Sequence, residues 1–189
     1  FSTGSAVPTS LKLDLDGVFI LFDSLQDKDT IKVLGDSKYP TLEAIRELNP
    51  YGITSIRDFY NDPELEKYVE TLDEFHQRKV RANIDNYRIQ REALELIQTG
   101  KMTNEKMGEL LNRHQANLRD GLQISTPVID KILAAALENG AYGGKFNGSG
   151  GGGCLYCYAP ANKAEQIVAA SNAMGYPAMI LTQDKGINI

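Results

Sequence analysis

Six glycines and a serine lie in one short stretch, GKFNGSGGGGC, at residues 144–154. Glycine loses the most backbone freedom on folding, so such a run needs a physical reason. Three interpretations are open: a slack linker, a tight turn between strands, or a loop whose backbone N–H groups form an anion-binding concavity. Strand-like sequence on both sides argues against a linker, and a tight turn needs only one or two glycines. The sequence therefore favours an anion-binding loop formed by Gly148, Ser149, Gly150, Gly151, Gly152 and Gly153.

Lys145 lies just before this loop and has two interpretations. It is either a phosphate contact or a solvated lysine at the edge of a strand, and the second is favoured. It is not the lysine of a Walker A motif, because that lysine follows the glycines and is itself followed by Ser or Thr.

The stretch CLYC contains the only two cysteines, Cys154 and Cys157. In a strand, residues three apart point to opposite faces, so these two thiols are not expected to share a metal ion or to form a disulfide easily. His76 and His114 do not have zinc-finger spacing. We therefore predict no metal site and two packed cysteines.

Three further polar positions have two interpretations each. His114 is expected to be a structural histidine on the apolar side of its helix rather than a catalytic base. Arg119 and Asp120 form a capping ion pair or help to hold an active-site shell. Tyr39, in the polar stretch GDSKYP, is either a turn residue or an aromatic hydroxyl that contacts a polar ligand.

The totals restrict the class of protein. The chain has 189 residues, 42% of them hydrophobic, and a formal charge of −5, which argues against a general binder of nucleic acid or of anionic membranes. No apolar run approaches the roughly 20 residues of a membrane helix, and there is no signal-peptide pattern. Two cysteines fit a reducing compartment, so a cytoplasmic location is expected.

The elements that must position these residues follow from the hydrophobic pattern. GVFILFDS (residues 17–24) predicts a buried strand, and QDKDTIKVLGDSKYP (26–40) predicts a loop before a short helix. Asp62–Pro63 predicts a helix start, and Thr71 with Glu74 predicts a capping box for a helix that ends near Gln98. Two more helices follow, the second capped by Thr126.

After Gly140 the pattern becomes strand, glycine loop, strand, helix, strand. The fold class predicted from these elements is α+β. About four mostly antiparallel strands form one sheet, and helices pack on one of its faces. We see no internal repeat and no domain boundary, so residues 1–189 are expected to be one domain.

Several segments together resemble a known family. GAYGGKFNGSGGGGC (residues 140–154) resembles the third conserved motif of the GHMP kinases, which include galactokinase, homoserine kinase and mevalonate kinase. LLNRHQANLRDGLQISTPVIDKIL (110–133) is similar to a more specific galactokinase segment. Galactokinase-like stretches also occur, in the same order along the chain, at residues 36–40, 53–59 and 177–189.

The resemblance implies a ferredoxin-like GHMP kinase C-terminal domain from an ATP-dependent sugar kinase. Such an enzyme transfers the ATP γ-phosphoryl group to a sugar hydroxyl, here expected at C1. By carry-over, residues 148–153 lie beside the nucleotide phosphates, and Tyr39 contacts the sugar.

The family's N-terminal sugar motif, its GLSSS-type loop and its catalytic aspartate have no counterpart in this sequence, which begins at Phe1. The resemblance therefore implies that no catalytic residue is present, and that ATP and Mg²⁺ are bound mainly by an N-terminal domain, the chain's expected partner besides sugar and ATP. The chain alone is expected to be inactive. Its loop reads FNGSGGGG where galactokinases usually have MTGGGFGG. This difference motivates an alternative, a sensor that binds sugar and ATP without catalysis.

Overall fold

The centre of the molecule is a four-stranded antiparallel sheet, seen in a computed structural model that describes residue 11 and residues 13–182. Counted along the chain from β1 at Val18–Asp23 to β4 at Ala178–Leu181, with β2 at Gly143–Phe146 and β3 at Cys154–Ala159, the strands have the order β2-β3-β1-β4 across the sheet. The two central strands are therefore β1 and β3. Ile20 of β1 pairs with Cys157 on one side and with Ile180 on the other. The predicted α+β fold with about four antiparallel strands is confirmed.

Six α-helices accompany the sheet in the described part of the chain. None of them combines the length and the apolar character that a membrane span requires. A π-helical turn, Asn117–Gly121, continues the fourth helix, and the longest 3₁₀ segment is Pro63–Thr71. The helices are α1 (Thr30–Leu48), α2 (Ile56–Asn61), α3 (Glu74–Gln98), α4 (Asn104–Ala116), α5 (Pro127–Glu138) and α6 (Ala164–Ala173).

One face of the sheet forms the main core with α5 and α6. Alternate residues of a strand share a face, so Ile20 and Phe22 of β1 lie on the same side as Leu155 and Cys157 of β3. These four side chains are almost completely buried. Burial of each of the three larger ones stabilises the fold by about 1.5–3 kcal/mol relative to an exposed position, and burial of the smaller cysteine contributes less. A second core joins α1, α2 and α3 around Leu48, Phe59 and Val80.

Helix α4 covers the free edge of β2 with amide side chains. The Gly144 N–H donates to Asn112 Oδ1 at 3.0 Å, and the Phe146 N–H donates to Gln115 Oε1 at 3.1 Å. The Asn112 amide also donates to the Tyr142 carbonyl at 3.1 Å. These bonds satisfy backbone groups that an edge strand otherwise leaves to water.

The loop predicted for residues 26–40 is wrong over most of its length, because α1 already begins at Thr30. Asp29 is its N-cap and accepts a hydrogen bond from the Lys32 N–H at 2.9 Å. Pro40 lies inside the helix, where Ser37 and Thr41 donate their hydroxyls to carbonyls one turn earlier. Tyr39 therefore lies on a helix and not in a loop.

The start of α3 also differs from the prediction. Asp73, not Thr71, is the N-cap and accepts from the His76 N–H at 2.9 Å. Thr71 closes the preceding 3₁₀ segment instead, by donating to the Tyr68 carbonyl. The predicted Asp62 cap, the Thr126 cap and the end of α3 at Gln98 are confirmed, although a 3₁₀ segment and not an α-helix follows Asp62.

Candidate functional site

The glycine loop connects β2 to β3 and spans residues 147–153. Its five glycines all have positive φ angles, at Gly148 (77°), Gly150 (86°), Gly151 (74°), Gly152 (138°) and Gly153 (74°). L-residues adopt such conformations at a cost of roughly 1–2 kcal/mol each. The path of the loop itself therefore requires all five glycines, not only one or two.

Close packing is a second reason for the glycines. A Cβ atom at Gly150 would lie closer than 3.0 Å to the Ile124 carbonyl oxygen. At Gly151 it would lie 2.5 Å from Val33 Cγ2, and at Gly152 it would lie 2.8 Å from the Gln26 carbonyl oxygen. The loop is thus enclosed by the segment after β1, the first turn of α1 and the segment before α5.

Backbone hydrogen bonds fix the loop to two of these neighbours. The Gly153 N–H donates to the Gln26 carbonyl at 3.0 Å, and the Ser24 N–H donates to the Gly153 carbonyl at 3.1 Å. The Gly151 N–H donates to the Ile124 carbonyl at 2.9 Å. These bonds make the loop a fixed structure and not a slack linker.

Several donors of the loop remain unused by the described residues. The N–H groups of Gly148, Ser149 and Gly152 donate to no other described residue. The Ser149 hydroxyl oxygen is buried and also has no hydrogen-bond partner there. A buried polar atom without a partner is costly, and consecutive free N–H groups suit an anion. This arrangement fits the phosphate contact predicted for residues 148–153, which stays a prediction.

Lys28 is a basic residue at the loop that the sequence did not single out. Its Nζ lies 3.2 Å from the position that a Cβ of Gly148 would occupy, and its Cδ lies 3.5 Å from that of Gly153. The sequence signal was weak, because Lys28 is one of several charged residues between β1 and α1. Its position depends on the path of residues 24–28 over the loop.

The sequence favours a solvated Lys145 at the edge of a strand, but the structure places its ammonium against other groups of the protein. Its ammonium donates to the Phe146 carbonyl at 2.7 Å and lies over the rings of Phe146 and Tyr156, at 5.7 and 5.5 Å. Burial lowers its pKa. The side chain is therefore engaged beside β2.

Tyr39 is not brought to the glycine loop. Val33 is the α1 residue that packs against Gly151, and Tyr39 follows it by six positions. In an α-helix this spacing is about 9 Å along the axis and about 120° around it. The Tyr39 side chain is 56% exposed, so its predicted sugar contact stays a prediction.

The remaining candidates from the sequence are His114, Arg119 and Asp120, and their neighbours suit structural roles. Burial, with a further effect from the positive charge of Lys145, lowers the pKa of His114 to about 4, against a small opposing effect of Asp85. The imidazole is thus neutral at pH 7, as suits a structural histidine. Arg119 and Asp120 bind each other through two 2.7 Å hydrogen bonds in the π-helical turn, and this pairing lowers the pKa of Asp120.

The two cysteines lie on opposite faces of β3, as predicted. Cys157 is fully buried in the main core, and burial raises the pKa of its thiol to about 12. Cys154 is half-buried at the start of the strand, and both thiols are free. Among the described residues, no group of three or more His, Cys, Asp or Glu side chains is arranged to hold a metal ion.

A large open groove lies elsewhere, along α3 and the π-helical turn. Its volume is about 640 Å³, and Arg81, Asp85 and Asp120 are among its lining residues. Each of these charges already has a partner: Arg81 pairs with Glu70, Asp85 binds Arg113 and Asn117, and Asp120 pairs with Arg119. The unpaired groups of the molecule's glycine loop make that loop the better candidate site.

Comparison with known proteins shows what this part of the chain is similar to. Residues 91–176 match the family model described as "GHMP kinases C terminal". The chain is 36% identical over 89 residues to a mevalonate kinase of Thermococcus gammatolerans, an alignment that covers 47% of this chain and 26% of the relative. It is 29% identical over 124 residues to a galactokinase of Glaesserella parasuis, which covers 62% of this chain and 31% of that protein. The matched part thus spans about a quarter to a third of these relatives.

Solved structures share the fold over most of the chain. The Lactococcus lactis galactokinase complexed with galactose superimposes with a TM-score of 0.69 at 21% identity, over 93% of this chain and 46% of that one. The Leishmania mevalonate kinase in complex with R-mevalonate gives 0.59 at 20% identity, over 91% of this chain and 43% of its own.

Proposed function

We propose that the protein containing this chain transfers the γ-phosphoryl group of ATP to a hydroxyl of a small polar substrate, a sugar in the first instance. The match of residues 91–176 to the family model of the GHMP kinase C terminus supports this proposal. The hydroxyl at C1 is the proposed acceptor. The glycine loop is the proposed wall of the active site that this chain supplies.

The observation that carries the proposal is the set of unused donors in the loop. Three backbone N–H groups and the buried Ser149 hydroxyl have no partner among the described residues, while the bonds to Gln26 and Ile124 hold the loop in place. Phosphoryl transfer depends mainly on positioning and on stabilising charge at the phosphate oxygens. A fixed loop of free donors provides both without rearrangement during the reaction.

The division of labour with an N-terminal domain is part of the proposal. ATP supplies the phosphoryl group, and residues 148–153 bind and orient its phosphate oxygens. The resemblance puts the catalytic aspartate and most contacts to ATP and Mg²⁺ in an N-terminal domain. The 189-residue chain alone is then inactive, and the whole protein works in the cytoplasm, where ATP is abundant.

A sugar is favoured because the sequence match to the galactokinase covers more of this chain than the match to the mevalonate kinase does. The galactokinase match covers 62% of the chain, and the mevalonate kinase match covers 47%. A mevalonate-type acceptor is the second candidate, because the mevalonate kinases are more identical over the shorter segment. Both candidates use the same loop and differ only in the acceptor alcohol.

The test is ADP release by the whole protein with Mg²⁺–ATP and a panel of galactose, other hexoses, N-acetylhexosamines and mevalonate. Turnover with one of the sugars supports the first candidate, and turnover with mevalonate supports the second. Binding of ATP and sugar without turnover is the outcome expected of a sensor, and it contradicts the kinase proposal. The 189-residue chain serves as a control and should release no ADP.

Two variants connect the activity to the loop. Ser149→Ala removes the unpartnered hydroxyl and leaves the glycines intact, so it should lower activity while leaving the unfolding midpoint unchanged or higher. Ser171→Ala is a matched control, because its hydroxyl is also buried but already donates to the Tyr176 carbonyl, away from the loop. It should destabilise the fold and leave the turnover of the folded protein unchanged.

A further inference from the structure

A lysine side chain lies along the glycine loop and has no ion-pair partner among the described residues. Lys28 belongs to the segment between β1 and α1, and its Cδ, Cε and Nζ atoms all lie 3.5–3.6 Å from the position of a Gly153 Cβ. At Gly148 the same Nζ lies 3.2 Å from the position of a Cβ. The missing side chains at both glycines therefore leave room for this lysine.

Three charged residues near Lys28 in sequence or at the loop are already engaged by other groups. Asp29 caps α1 by accepting from the Lys32 N–H, and the Lys32 ammonium pairs with Asp36 at 2.8 Å. Lys145, the other lysine near the loop, donates to the Phe146 carbonyl. Within the described part of the chain, Lys28 makes neither a salt bridge nor a side-chain hydrogen bond, so its charge is available to a ligand.

The backbone beside Lys28 has an unusual conformation. Leu25 has a φ of 55°, which is an outlier for a bulky residue, and its side chain is 62% exposed. The next residue, Gln26, accepts from the Gly153 N–H, so this turn carries residues 26–28 across the loop. Strain of this kind persists only where the surrounding structure enforces it, and it clusters at ligand clamps.

We propose that Lys28 binds a phosphoryl oxygen of the ligand held at the glycine loop. The ammonium then faces the phosphate from one side, and the free N–H groups and the Ser149 hydroxyl face it from the other. This assignment rests on the proposed function, because that function supplies the phosphate. A lysine suits the task, since its ammonium is a compact charge on a flexible stem that can follow the phosphate.

The first test uses Lys28→Ala and Lys28→Arg in the whole protein, with Lys32→Ala as the matched control. Lys32 is four residues away and exposed, and its charge is already paired with Asp36. A lost charged hydrogen bond corresponds to a loss of about 10- to 100-fold in kcat/KM for Mg²⁺–ATP. Lys28→Ala should show this loss, Lys28→Arg should restore part of it, and Lys32→Ala should stay within about twofold.

The second test needs no turnover and no variant. An amine-reactive acetylating reagent is applied to the wild-type protein alone and with Mg²⁺–ATP, Mg²⁺–ADP or inorganic tripolyphosphate, and each lysine is followed by mass spectrometry. Lys28 should be protected while Lys32 is not. Protection by ATP and tripolyphosphate but not by ADP assigns the contact to the terminal phosphate, and equal protection by ADP assigns it to an inner one.

The two tests separate this inference from the proposed function. A protein that releases no ADP with any acceptor, yet shows Lys28 protected by tripolyphosphate, loses the kinase proposal and keeps the phosphate contact. An active kinase in which Lys28→Ala behaves like Lys32→Ala, with no protection of Lys28, overturns the contact and keeps the function. Absence of both activity and protection overturns both.

Discussion

Replacing Gly150 by alanine tests whether the glycine loop is held by its close contact with the segment before α5. Gly150 has a φ of 86°, where an L-residue loses about 1–2 kcal/mol. The new Cβ would also contact the Ile124 carbonyl oxygen and the Phe146 ring, and such overpacking costs about 1–3 kcal/mol. Alanine reduces the freedom of the unfolded chain, which returns about 0.4–1 kcal/mol. The expected net loss of stability is about 3 kcal/mol.

Gly175→Ala is the matched control for the backbone effect. Gly175 has a φ of 88°, almost the same as Gly150, but no atom lies within 4 Å of its Cβ position. The loss there should be only about 1 kcal/mol. Urea denaturation followed by circular dichroism measures both variants against the wild type. The difference of about 2 kcal/mol between them isolates the steric contact.

Equal losses for the two variants would refute the reasoning, because they would mean that the loop moves away from Ile124 at no cost. A loop that yields so easily would not hold its N–H groups in place for a phosphate. The stability measurement thus also bears on the proposed function, without any assay of activity.

Three further predictions concern other parts of the molecule. Leu25→Gly should stabilise the fold by about 0.5–1 kcal/mol in urea denaturation, because glycine tolerates the φ of 55° and the leucine side chain is mostly exposed; a loss of stability would contradict the strain at this residue. The pKa of His114 is about 4 in the folded protein, against an ordinary value of 6.5. As the pH drops from 6.5 to 4, the unfolded state therefore takes up a proton that the folded state does not, and the free energy of unfolding should fall. His114→Gln should weaken this pH dependence of the unfolding free energy, and an unchanged slope would exclude His114 as its source. Titration with a thiol reagent should detect Cys154 in the native state and Cys157 only in urea, since Cys157 is fully buried with a raised pKa; rapid reaction of both native thiols would contradict the burial.

The sheet and the caps at Asp62 and Thr126 were predictable because their signals are local. GVFILFDS is continuously apolar, and Thr126 followed by Pro127 is a strong helix start. The early start of α1 was missed because Gly35 and Pro40 interrupt a polar stretch, although Asp29 before Thr30 is itself a cap signal. Pro40 is accommodated within the helix, which composition alone does not reveal.

The site was predictable only in part. A glycine run identifies a loop with special backbone geometry, and all five glycines do have positive φ. Lys28 was not predictable, because its place at the loop depends on the turn at Leu25 and on the bond between Gln26 and Gly153. Lys145 was nearer in sequence, yet its ammonium is held by the Phe146 carbonyl. Proximity along the chain was thus a poor guide to proximity in space.

The amide side chains of Asn112 and Gln115 have a consequence for engineering this domain. They occupy the N–H groups of Gly144 and Phe146, so a peptide tag or a fused partner cannot add a strand beside β2. Among the described strands, β4 forms the other edge of the sheet. Double replacement of Asn112 and Gln115 by alanine would leave the two N–H groups without their partners beneath α4 and should destabilise the fold.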